Sequence, residues 1–568
     1  MNSLKHSFRS FVQDNYLLLY LALIKLVIHF ISNGFLNYGY FRDELYYLAC
    51  SDHLAWGYVD QPPLSIFLLA ISRLLFGDSI FALRLFPALA GAATVFLTGL
   101  MVRRLGGGKF AQALAAVAVI ASSAFLSFNT FFSMNAFDIL FWSLGFYFII
   151  LGVGDPNPFT VGVALPTYSR SARCRSFEGV ISKVSRKNNI NKKSPNDCAH
   201  AVTPWGWLWL GLIIGLGLLN KISMIWFIGG FVVGLMLTDH RKKILTAGPW
   251  LAALTAVVLF LPHIIWQITN DFPTLEFIRN ATTEKMAAVP FLKFIISQID
   301  MIHPVIFLLC FIGLLYFLLD KQGRQYRLFA WMYLVIFLLL MFSRTSRPGY
   351  LAPFYPILIA GGAKVFETFT TANKWRRWLR PIYLTIIIGT GIIIAPMTLP
   401  VLPVETYIRY AKALGEEPST AERKELGKLG QFYADMHGWE KLVKTIAGVY
   451  HTLSPGEKQN CTIFTNNYGE AGAIDFFGAQ YNLPPAVSGH NNYWLWGPGN
   501  TDIGVVIHLG GQNGPSREVL KNLYREVNHA DTFTCDYCMP YENNMEIYLC
   551  KGPKVSIKEI WPRLKHYD

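Results

Sequence analysis

The sequence predicts a polytopic α-helical membrane protein that carries an α/β domain outside the membrane. Of its 568 residues, 53% are hydrophobic and only 15% are charged, whereas about a quarter of the residues in a soluble domain are charged. Residues 1–400 contain repeated apolar segments, and residues 401–568 mix helix-like and strand-like runs. A soluble enzyme is excluded by this balance, and a disordered chain is excluded by the high aromatic content.

Eleven segments within residues 1–400 are apolar enough to be transmembrane helices. The hydrocarbon layer is about 30 Å thick and a helix rises about 1.5 Å per residue, so a span needs about 20 apolar residues. The predicted spans are 15–36, 79–102, 110–128, 136–153, 204–220, 222–238, 247–266, 303–319, 328–343, 350–369 and 381–400. Several of these are short for a span.

The net charge of +14 is explained by membrane topology. Lys and Arg residues form groups at alternate ends of the spans, and these groups begin at Lys5, Arg103, Arg241, Lys321 and Lys374. Such residues favour the cytoplasmic side of a membrane. Eleven crossings from a cytoplasmic N-terminus place the C-terminal domain on the outer face. Nucleic-acid binding is therefore not expected, and no cleavable signal peptide is visible.

Two stretches lie outside the apolar segments. Residues 155–203 are rich in Lys, Arg, Ser, Asn and Pro without apolar periodicity, which predicts a disordered cytoplasmic insertion. Residues 401–568 alternate short strand-like runs with helix-like runs, which predicts an extracytoplasmic α/β domain. The strands are predicted at Cys461–Thr465, Ile503–Leu509 and Met545–Leu549, and the helices at Glu470–Tyr481 and Ser516–Val527.

The predicted outer domain contains four cysteines, Cys461, Cys535, Cys538 and Cys550. An oxidising compartment would favour disulfides among them, and four cysteines allow three pairings, between which the sequence does not choose. Cys535 and Cys538 also have the spacing of half a zinc site. A second ligand pair does not accompany them, so the zinc signal is weak.

The loop after the first span carries the strongest functional signal. Asp43 and Glu44 lie within a few residues of the predicted membrane surface, where ionised groups are costly unless they are paired or functional. A carboxylate there could accept a proton from an attacking hydroxyl or amine. A solvated loop acid is the ordinary explanation. It does not account for Asp60-Gln-Pro-Pro63, where a rigid Pro pair fixes a further acid before the amphipathic segment Leu64–Phe76.

The first loop resembles that of a known enzyme class. The pattern Asp43-Glu-x-x-Tyr47, followed by His53-Leu-Ala-Trp-Gly-Tyr-x-Asp-Gln-Pro-Pro-Leu64, is similar to the motif of bacterial GT-C membrane glycosyltransferases. These enzymes are related to the protein O-mannosyltransferases and to the lipid A aminoarabinose transferase. The resemblance covers roughly residues 15–400 in helix order, and it continues through Asn467–Asp475 and Ser488–Pro498.

The resemblance implies an activity and a location. In that family a sugar is transferred with inversion from a polyprenyl-phosphate donor, on the periplasmic face of the bacterial inner membrane. The implied substrate is a lipid-linked sugar held among membrane lipids. We accordingly expect a cytoplasmic N-terminus and a periplasmic C-terminal domain.

The resemblance also implies roles for residues of the first loop. Asp43 takes the place of the catalytic base, or of the group that positions the acceptor, with Glu44 beside it. Tyr47 and Tyr58 match aromatic positions that line the donor phosphate. Asp60 matches an acid implicated in metal binding, which makes a divalent metal a candidate cofactor. The family's next residue is a phosphate-binding lysine. This chain has Gln61 there, so the phosphate needs another cation.

Candidates for that cation follow from topology, because the phosphate has to be neutralised at the outer membrane face. Lys221 falls at the outer end of the fifth and sixth spans, and Arg279 follows the seventh. Arg347 and Tyr350 open the tenth span and resemble the family's basic-Pro-x-Tyr element. Each basic residue could instead anchor its helix at the interface. Several of them at this face indicate an anionic ligand, for which a phosphate is the natural choice.

A possible acceptor site lies where the second outer loop enters the fourth span. Asn135 and Asp138 stand there, and related enzymes often have a carboxylate in this turn. Asp138 could equally be an acid that the helix dipole favours. The acceptor, whether protein, lipid or cell-envelope glycan, and the sugar itself are not identified by any motif.

Two other classes of function stay open. A secondary transporter would account for eleven helices with buried polar residues, but inverted repeats and paired broken helices are not visible. A non-catalytic membrane protein could bind glycans through Tyr493, Trp494 and Trp496, although such rings also form ordinary domain cores. Both alternatives leave the acid-rich first loop unexplained. The sequence does not indicate an oligomeric state.

Overall fold

A computed structural model describes residues 2–34, 38–154, 204–500 and 503–568 of the chain. The predicted insertion at 155–203 lies outside the described residues. The described part consists of a helical bundle followed by a mixed five-stranded sheet with its own helices.

Each of the eleven predicted spans coincides with a helix. These helices are Asn2–Gly34, Ile80–Arg104, Lys109–Ala121, Met134–Gly154, Pro204–Asn220, Met224–Met236, Ala247–Thr269, Pro304–Leu319, Arg327–Phe342, Tyr355–Thr371 and Leu379–Thr398. Among the described residues, six helices are long and apolar enough to cross a membrane alone. The pair Phe291–Ile302 and Pro304–Leu319, bent by 107°, is a seventh candidate, and four further apolar helices are shorter. Helix length thus supports a multi-pass protein without fixing the number of spans at eleven.

The centre of the bundle is closely packed because small residues let helices approach. A methyl group at Gly313 would overlap the carbonyl oxygen of Leu358, and one at Gly362 would overlap the carbonyl oxygen of Leu309. The helices Pro304–Leu319 and Tyr355–Thr371 therefore touch backbone to backbone. Small residues at such interfaces are typical of membrane helices.

The first outer loop forms two helices. The helix Arg42–Asp52 has both adjacent acids in its first turn, where the helix dipole favours negative charge. The Glu44 carboxylate accepts a hydrogen bond of 2.9 Å from the Phe41 N–H and so caps the helix. The predicted amphipathic helix Leu64–Phe76 is confirmed, and its buried residues include Ile66 and Leu69.

The C-terminal region contains a mixed sheet, as expected for an α/β domain. Its strands are β1 (Cys461–Thr465), β2 (Ala486–Ser488), β3 (Val505–Leu509), β4 (Tyr524–Phe533) and β5 (Met545–Pro553), in the order β2-β1-β3-β5-β4. Strand β1 is parallel to β2 and β3, whereas β5 is antiparallel to β3 and β4. The helix Tyr468–Phe477 provides the crossover from β1 to β2 that a parallel pair requires.

The remaining helices are short connections or lie around the sheet. They are Ser123–Phe128, Pro273–Asn280, Val404–Ala413, Gln431–Ala434, Trp439–His451, Pro455–Gln459, Asn492–Trp496, Arg517–Leu523 and Ile557–Ile560.

The sequence predictions for the sheet were partly wrong. The helix expected over Ser516–Val527 ends at Leu523, and β4 begins at the next residue. Val527 pairs with Cys550 of β5, so a distant strand overrides the local helical pattern. The three-residue strand β2 was not predicted, and β5 continues to Pro553 beyond the predicted end.

The four cysteines of this region are free thiols in the described structure, so the expected disulfides are not formed. Cys461 pairs with Val505 of β3, and Cys550 pairs with Val506 of β3 on its other edge. Strand β3 therefore separates the two cysteines by two strand spacings, about 10 Å. A disulfide needs Cα atoms within about 7 Å of each other.

Candidate active site

A cavity of about 740 Å³ lies between the first outer loop, the adjoining helix ends and the C-terminal region. Its volume is in the range of ligand-binding pockets. Eight of the twelve site residues predicted from the sequence line it: Asp43, Tyr47, Asp60, Gln61, Asn135, Lys221, Arg347 and Tyr350. The fold thus brings residues that are far apart in the chain to one site.

Asp43 stands at the wall of the cavity with 29% of its side chain exposed. Its Oδ1 atom accepts a hydrogen bond of 3.0 Å from the Tyr468 hydroxyl and one of 3.4 Å from Arg42 Nε. Both bonds that the described residues make to this carboxylate are on Oδ1. The second oxygen is left for a ligand in the cavity.

Two glycines allow the C-terminal region to approach Asp43 so closely. A methyl group on Gly469 would lie 2.5 Å from Arg42 Cγ, and one on Gly472 would lie 2.7 Å from the Leu45 carbonyl carbon. The helix Tyr468–Phe477 can therefore rest directly on the helix Arg42–Asp52. This contact sets the Tyr468 hydroxyl against the carboxylate.

Arg42 ties the first loop to the C-terminal region. Its Nη1 donates a hydrogen bond of 2.7 Å to the Tyr541 hydroxyl and lies 3.6 Å from Asp435 Oδ2. Its Nη2 lies 3.6 Å from Glu422 Oε1. Because Arg42 is buried, these pairings hold the residue next to Asp43 in a fixed position.

The acids of the cavity differ in their tendency to ionise. Burial raises the pKa of Asp60 to about 7, although the Tyr46 hydroxyl donates a bond of 3.0 Å to its Oδ1. Burial also raises the pKa of Asp435 to about 7, against the opposing charge of Arg42. Carboxyl groups with such pKa values change charge near neutral pH, as is common at functional sites.

Glu422 behaves in the opposite way. Burial alone would raise its pKa, but Arg42, Lys285 and Arg347 together lower the pKa to about 2. Its Oε1 lies 3.3 Å from Arg347 Nη2. Glu422 is therefore a permanent anion that gathers three cations at one wall of the cavity.

Lys221 occupies another wall. Its Nζ donates a bond of 2.7 Å to Asn135 Oδ1 and lies 5.0 Å from the centre of the Tyr350 ring. It also lies 3.7 Å from Asp138 Oδ2. Lys221, which was predicted to bind the donor substrate, is thus in contact with Tyr350, predicted for the same role, and with Asn135.

Lys285 is a cavity cation that sequence reasoning missed. It ends the short π-helix Ala281–Lys285, lines the cavity, and has its Nζ 5.7 Å from the centre of the Tyr468 ring. Burial lowers its pKa. Arg279, the cation expected in this stretch, is exposed and does not line the cavity.

Glu44, predicted to act beside Asp43, is placed elsewhere. It is fully buried, its Oε1 accepts from the Phe132 N–H at 2.7 Å, and its Oε2 accepts from Arg84 Nη2 at 2.7 Å. Arg84 Nε donates a further bond of 2.9 Å to Oε1. The carboxylate of Glu44 belongs to an internal ion pair and does not line the cavity.

Tyr58 and Asp138 also lie outside the cavity lining. The Tyr58 hydroxyl accepts a bond of 3.2 Å from the Ala55 N–H and donates one of 3.2 Å to the Cys50 carbonyl, so it closes the first loop on itself. Asp138 is buried behind Lys221 and accepts a bond of 2.8 Å from the Ser223 hydroxyl. From this position Asp138 can hold Lys221 in place, but it does not reach the cavity to contact an acceptor.

Several further cavity residues were not singled out from the sequence. They are Arg42, Lys285, Glu422, Asp435, Tyr468, Asn491 and Asp568. Tyr468 and Asn491 fall within the two C-terminal segments of the resemblance, so those segments carried a usable signal. Lys285, Glu422 and Asp435 lie in no motif, and only the tertiary structure brings them to the site.

One group near the cavity could hold a metal ion. His490, His566 and Asp568 offer ligand atoms within 4.8 Å of one another, and the buried Nδ1 of His490 has no hydrogen-bond partner among the described residues. Two imidazoles and a carboxylate suit Zn²⁺. Asp60, the metal ligand expected from the resemblance, is not in this group. The His490 ring lies 4.7 Å from that of Tyr468, the partner of Asp43.

Comparisons with known proteins bear on the fold and on the class of the chain. Residues 60–166 and 199–266 match the family model described as dolichyl-phosphate-mannose-protein mannosyltransferase. A search of curated protein sequences gives no match.

Solved structures share the fold at low sequence identity. ArnT from Cupriavidus metallidurans in the apo state is 15% identical with a TM-score of 0.53, and the alignment covers 93% of this chain and 97% of ArnT. The same enzyme bound to undecaprenyl phosphate gives a TM-score of 0.54 at the same identity and coverage. The Archaeoglobus fulgidus oligosaccharyltransferase in complex with Zn and sulfate is 11% identical with a TM-score of 0.50, covering 87% of this chain and 67% of that one.

These findings confirm the predicted resemblance. The chain is a multi-pass membrane protein with the GT-C fold, and the family match together with the shared fold supports a GT-C glycosyltransferase.

Proposed function

We propose that the protein is an inverting glycosyltransferase that moves a sugar from a polyprenyl-phosphate donor to an acceptor. The observation that carries the proposal is the position of Asp43, whose carboxylate opens on a cavity that also holds Lys221, Lys285 and Arg347. A base and a cluster of cations around one cavity are what such a transfer requires. The fold shared with ArnT, which has been seen with undecaprenyl phosphate, supports the choice of donor.

The cations are proposed to bind the donor phosphate. The bond between the anomeric carbon and the phosphate oxygen breaks during transfer, and the polyprenyl phosphate leaves with an added negative charge. Lys221, Lys285 and Arg347 stabilise that charge, and side chains that are already held in place do so without reorganising. Asn135 orients Lys221 through its hydrogen bond, and Glu422 orients Arg347. These cations take the place of the phosphate-binding lysine that the related enzymes have at the position of Gln61.

Asp43 is proposed as the base. The acceptor hydroxyl or amine attacks the anomeric carbon from the side opposite the phosphate and passes its proton to the free oxygen of Asp43. Tyr468 and Arg42 bind the other oxygen and hold the carboxylate in position. Tyr47, at the same cavity wall, contributes an aromatic surface on which a sugar ring can stack.

A metal ion would fit beside this machinery. His490, His566 and Asp568 are the residues that would hold it, and it would supply positive charge close to the Tyr468 side of the cavity. The proposed base and the phosphate-binding cations are all side chains of the chain itself.

The cavity is proposed to face the periplasm of a bacterial inner membrane. It lies at the helix ends opposite the Lys and Arg groups. Asn135 at the start of the helix Met134–Gly154 lines the cavity, whereas the carbonyl of Gly152 near its end accepts a bond of 3.0 Å from Lys243. The basic end is the cytoplasmic one under the positive-inside rule.

The glycan-binding alternative is less well supported. The Tyr493 hydroxyl donates a bond of 2.6 Å to Asp475, Trp494 Nε1 donates to the carbonyl of Trp561, and the Trp496 ring stacks on His53 at 4.3 Å. These three rings are engaged in packing the C-terminal region. For the transporter alternative, no contact among the described residues favours it over the enzyme.

Turnover of a donor panel tests the proposal. Purified protein in detergent is incubated with polyprenyl phosphates that carry different sugars, and release of free polyprenyl phosphate is measured, with binding of undecaprenyl phosphate measured on the same sample. We expect one donor to be turned over. Binding of the lipid without turnover would call for other acceptors, and absence of both binding and turnover would contradict the proposal and favour the transporter or scaffold.

A further inference from the structure

The cysteines of the C-terminal region occupy two kinds of environment. Cys461 and Cys550 lie on central strands and are 6% and 0% exposed, and burial raises the pKa of each to about 12. Cys535 lies in the loop after β4 and is partly exposed, with Cys538 three residues later. Buried thiols of the first kind are inert, whereas reactive cysteines are accessible and surrounded by hydrogen-bond donors or positive charge.

The two sulfurs of the loop lie in one tight turn. The Cys538 N–H donates to Cys535 Sγ at 3.2 Å, and Cys538 Sγ donates to the Cys535 carbonyl at 3.4 Å. Lys441 is close, because its Nζ donates a bond of 2.6 Å to the Thr534 carbonyl. The Cys538 thiol, backbone N–H groups and Lys441 lower the pKa of Cys535 to about 6.

The same loop reaches the catalytic neighbourhood. Cys535 N–H donates a bond of 2.8 Å to Asn543 Oδ1, which closes residues 535–543 into a unit. Tyr541 in this unit accepts the hydrogen bond of 2.7 Å from Arg42. Arg42 in turn contacts Asp43. Two contacts, Tyr541 with Arg42 and Arg42 with Asp43, therefore connect the loop that contains Cys538 to the proposed base.

We propose that Cys535 and Cys538 are a redox-active dithiol, and that formation of their disulfide shifts the loop 535–543 and weakens the contact between Tyr541 and Arg42. The thiol chemistry at this site does not rest on the glycosyl transfer proposed above. Its reaction partner is a small-molecule or protein disulfide.

The exchange proceeds in two steps. The Cys535 thiolate attacks one sulfur of the partner disulfide, whose S–S bond breaks and releases one thiolate, leaving a mixed disulfide on Cys535. The Cys538 thiol then gives up its proton to solvent and attacks the Cys535 sulfur, which releases the second partner thiol. The cysteine pair is oxidised by two electrons and the partner disulfide is reduced to two thiols. Cys535 attacks first because it is the more exposed and the more acidic of the two.

Redox titration of the full-length protein tests the chemistry. The protein is equilibrated with mixtures of reduced and oxidised glutathione, quenched with an alkylating reagent, and mapped by mass spectrometry. We expect a Cys535–Cys538 disulfide in the oxidised mixtures, with Cys461 and Cys550 alkylated only after denaturation. In C538S we expect a stable glutathione adduct on Cys535, and in C535S we expect at least tenfold less adduct on Cys538. Two free thiols at every glutathione ratio would overturn the proposal, as would equal adducts in the two variants.

Hydrogen exchange tests the connection to Arg42. Peptides that contain Tyr541 and Arg42 are compared between the reduced and oxidised wild type, and the C535S/C538S double variant serves as the protein that cannot switch. We expect several-fold faster exchange of both peptides on oxidation of the wild type and no change in the variant. Unchanged exchange in the oxidised wild type would overturn the shift of the loop. Neither measurement uses a sugar donor, so failure here is distinct from failure of the proposed transfer.

Discussion

Two polar regions flank the first-loop helix Arg42–Asp52, and they differ in how completely their charges are satisfied. On one side Glu44 is sealed against Arg84, with both carboxylate oxygens bound. On the other side Asp43 is bound through one oxygen and opens on the cavity. Two adjacent acids of one helix turn thus lie in different environments. A carboxylate whose bonds are all made by the protein supports the fold, whereas one with an open oxygen can act on a ligand.

The largest change in stability is expected at Glu44. We expect E44Q to destabilise the protein by about 3–5 kcal/mol, because it leaves the buried Arg84 charge without its partner. Thermal unfolding in detergent measures this loss. D52N is the matched control, since Asp52 ends the same helix and pairs with Arg73 near the surface, with 58% of its side chain exposed. It should change stability by less than about 1 kcal/mol. Equal stability of E44Q and D52N would contradict the structural role of Glu44.

The cations of the cavity allow the second test. Loss of a charged hydrogen-bonding group costs about 1.5–3 kcal/mol, so K285A should weaken binding of undecaprenyl phosphate by roughly 10- to 150-fold. R279A removes a cation six residues earlier in the chain that does not line the cavity, and it should leave binding within about twofold. Binding measured by native mass spectrometry or by thermal shift distinguishes the two. A larger loss of binding in R279A than in K285A would contradict this assignment and would indicate that Arg279 binds the phosphate, as the sequence predicted.

The contact between the two parts of the chain gives the third test. G472A places a methyl group 2.7 Å from the Leu45 carbonyl carbon, and overpacking of this kind costs about 1–3 kcal/mol. Because the same contact presents Tyr468 to Asp43, we expect transfer to fall more than stability. G448A, on a helix where an added methyl meets no neighbour within 4 Å, is the control and should be neutral or slightly stabilising. Equal effects of the two substitutions would show that the close approach is unimportant.

The fourth test concerns pH. The pKa values of Asp60 and Asp435 are about 7 in the folded protein and about 4 in an unfolded chain. The folded state therefore binds more protons between these values, and its stability falls as pH rises from about 4 to about 7. D60N removes one of the two groups and should flatten the dependence of the melting temperature on pH in this window. If the melting temperature of D60N depends on pH as steeply as that of the wild type, the Asp60 carboxyl of the wild type does not have a raised pKa.

The fold was largely predictable because its signals are local. Apolar length marks the spans, and all eleven segments coincide with helices. Strand β1 was predicted with its observed bounds, since a short β-type run is bounded by turn residues. Strand β4 was not predicted, because its residues pair with residues of β5 that lie 12 to 29 positions further along the chain and local propensity at its start favours helix.

The site was predictable where a motif or the predicted ends of the spans indicated it, as for Lys221 and Asn135. Asp43, Tyr47, Asp60 and Gln61 lie in the first-loop motif and line the cavity, but Glu44 and Tyr58 in the same motif do not. Sequence spacing does not tell which of two adjacent acids faces the cavity. That depends on Arg84, which lies on another helix.

Other cavity residues could not be predicted from the sequence. Lys285, Glu422 and Asp435 come from connecting segments. Glu422 and Asp435 form ion pairs with Arg42, and Glu422 also pairs with Arg347. The charge of Lys285 lies close enough to Glu422 to help lower the pKa of that acid. Long-range charge pairing of this kind leaves no periodicity or spacing in the sequence.

The most direct measurement compares D43N with the wild type. Asparagine keeps an oxygen that can accept the Tyr468 bond but cannot take a proton from the acceptor, so the fold and the binding of undecaprenyl phosphate should be retained. Release of free polyprenyl phosphate from the donor identified in the panel should fall by about 10²- to 10⁴-fold, the usual contribution of a general base. D43N protein that binds the lipid and turns over the donor at the wild-type rate would contradict the assignment of Asp43 as the base.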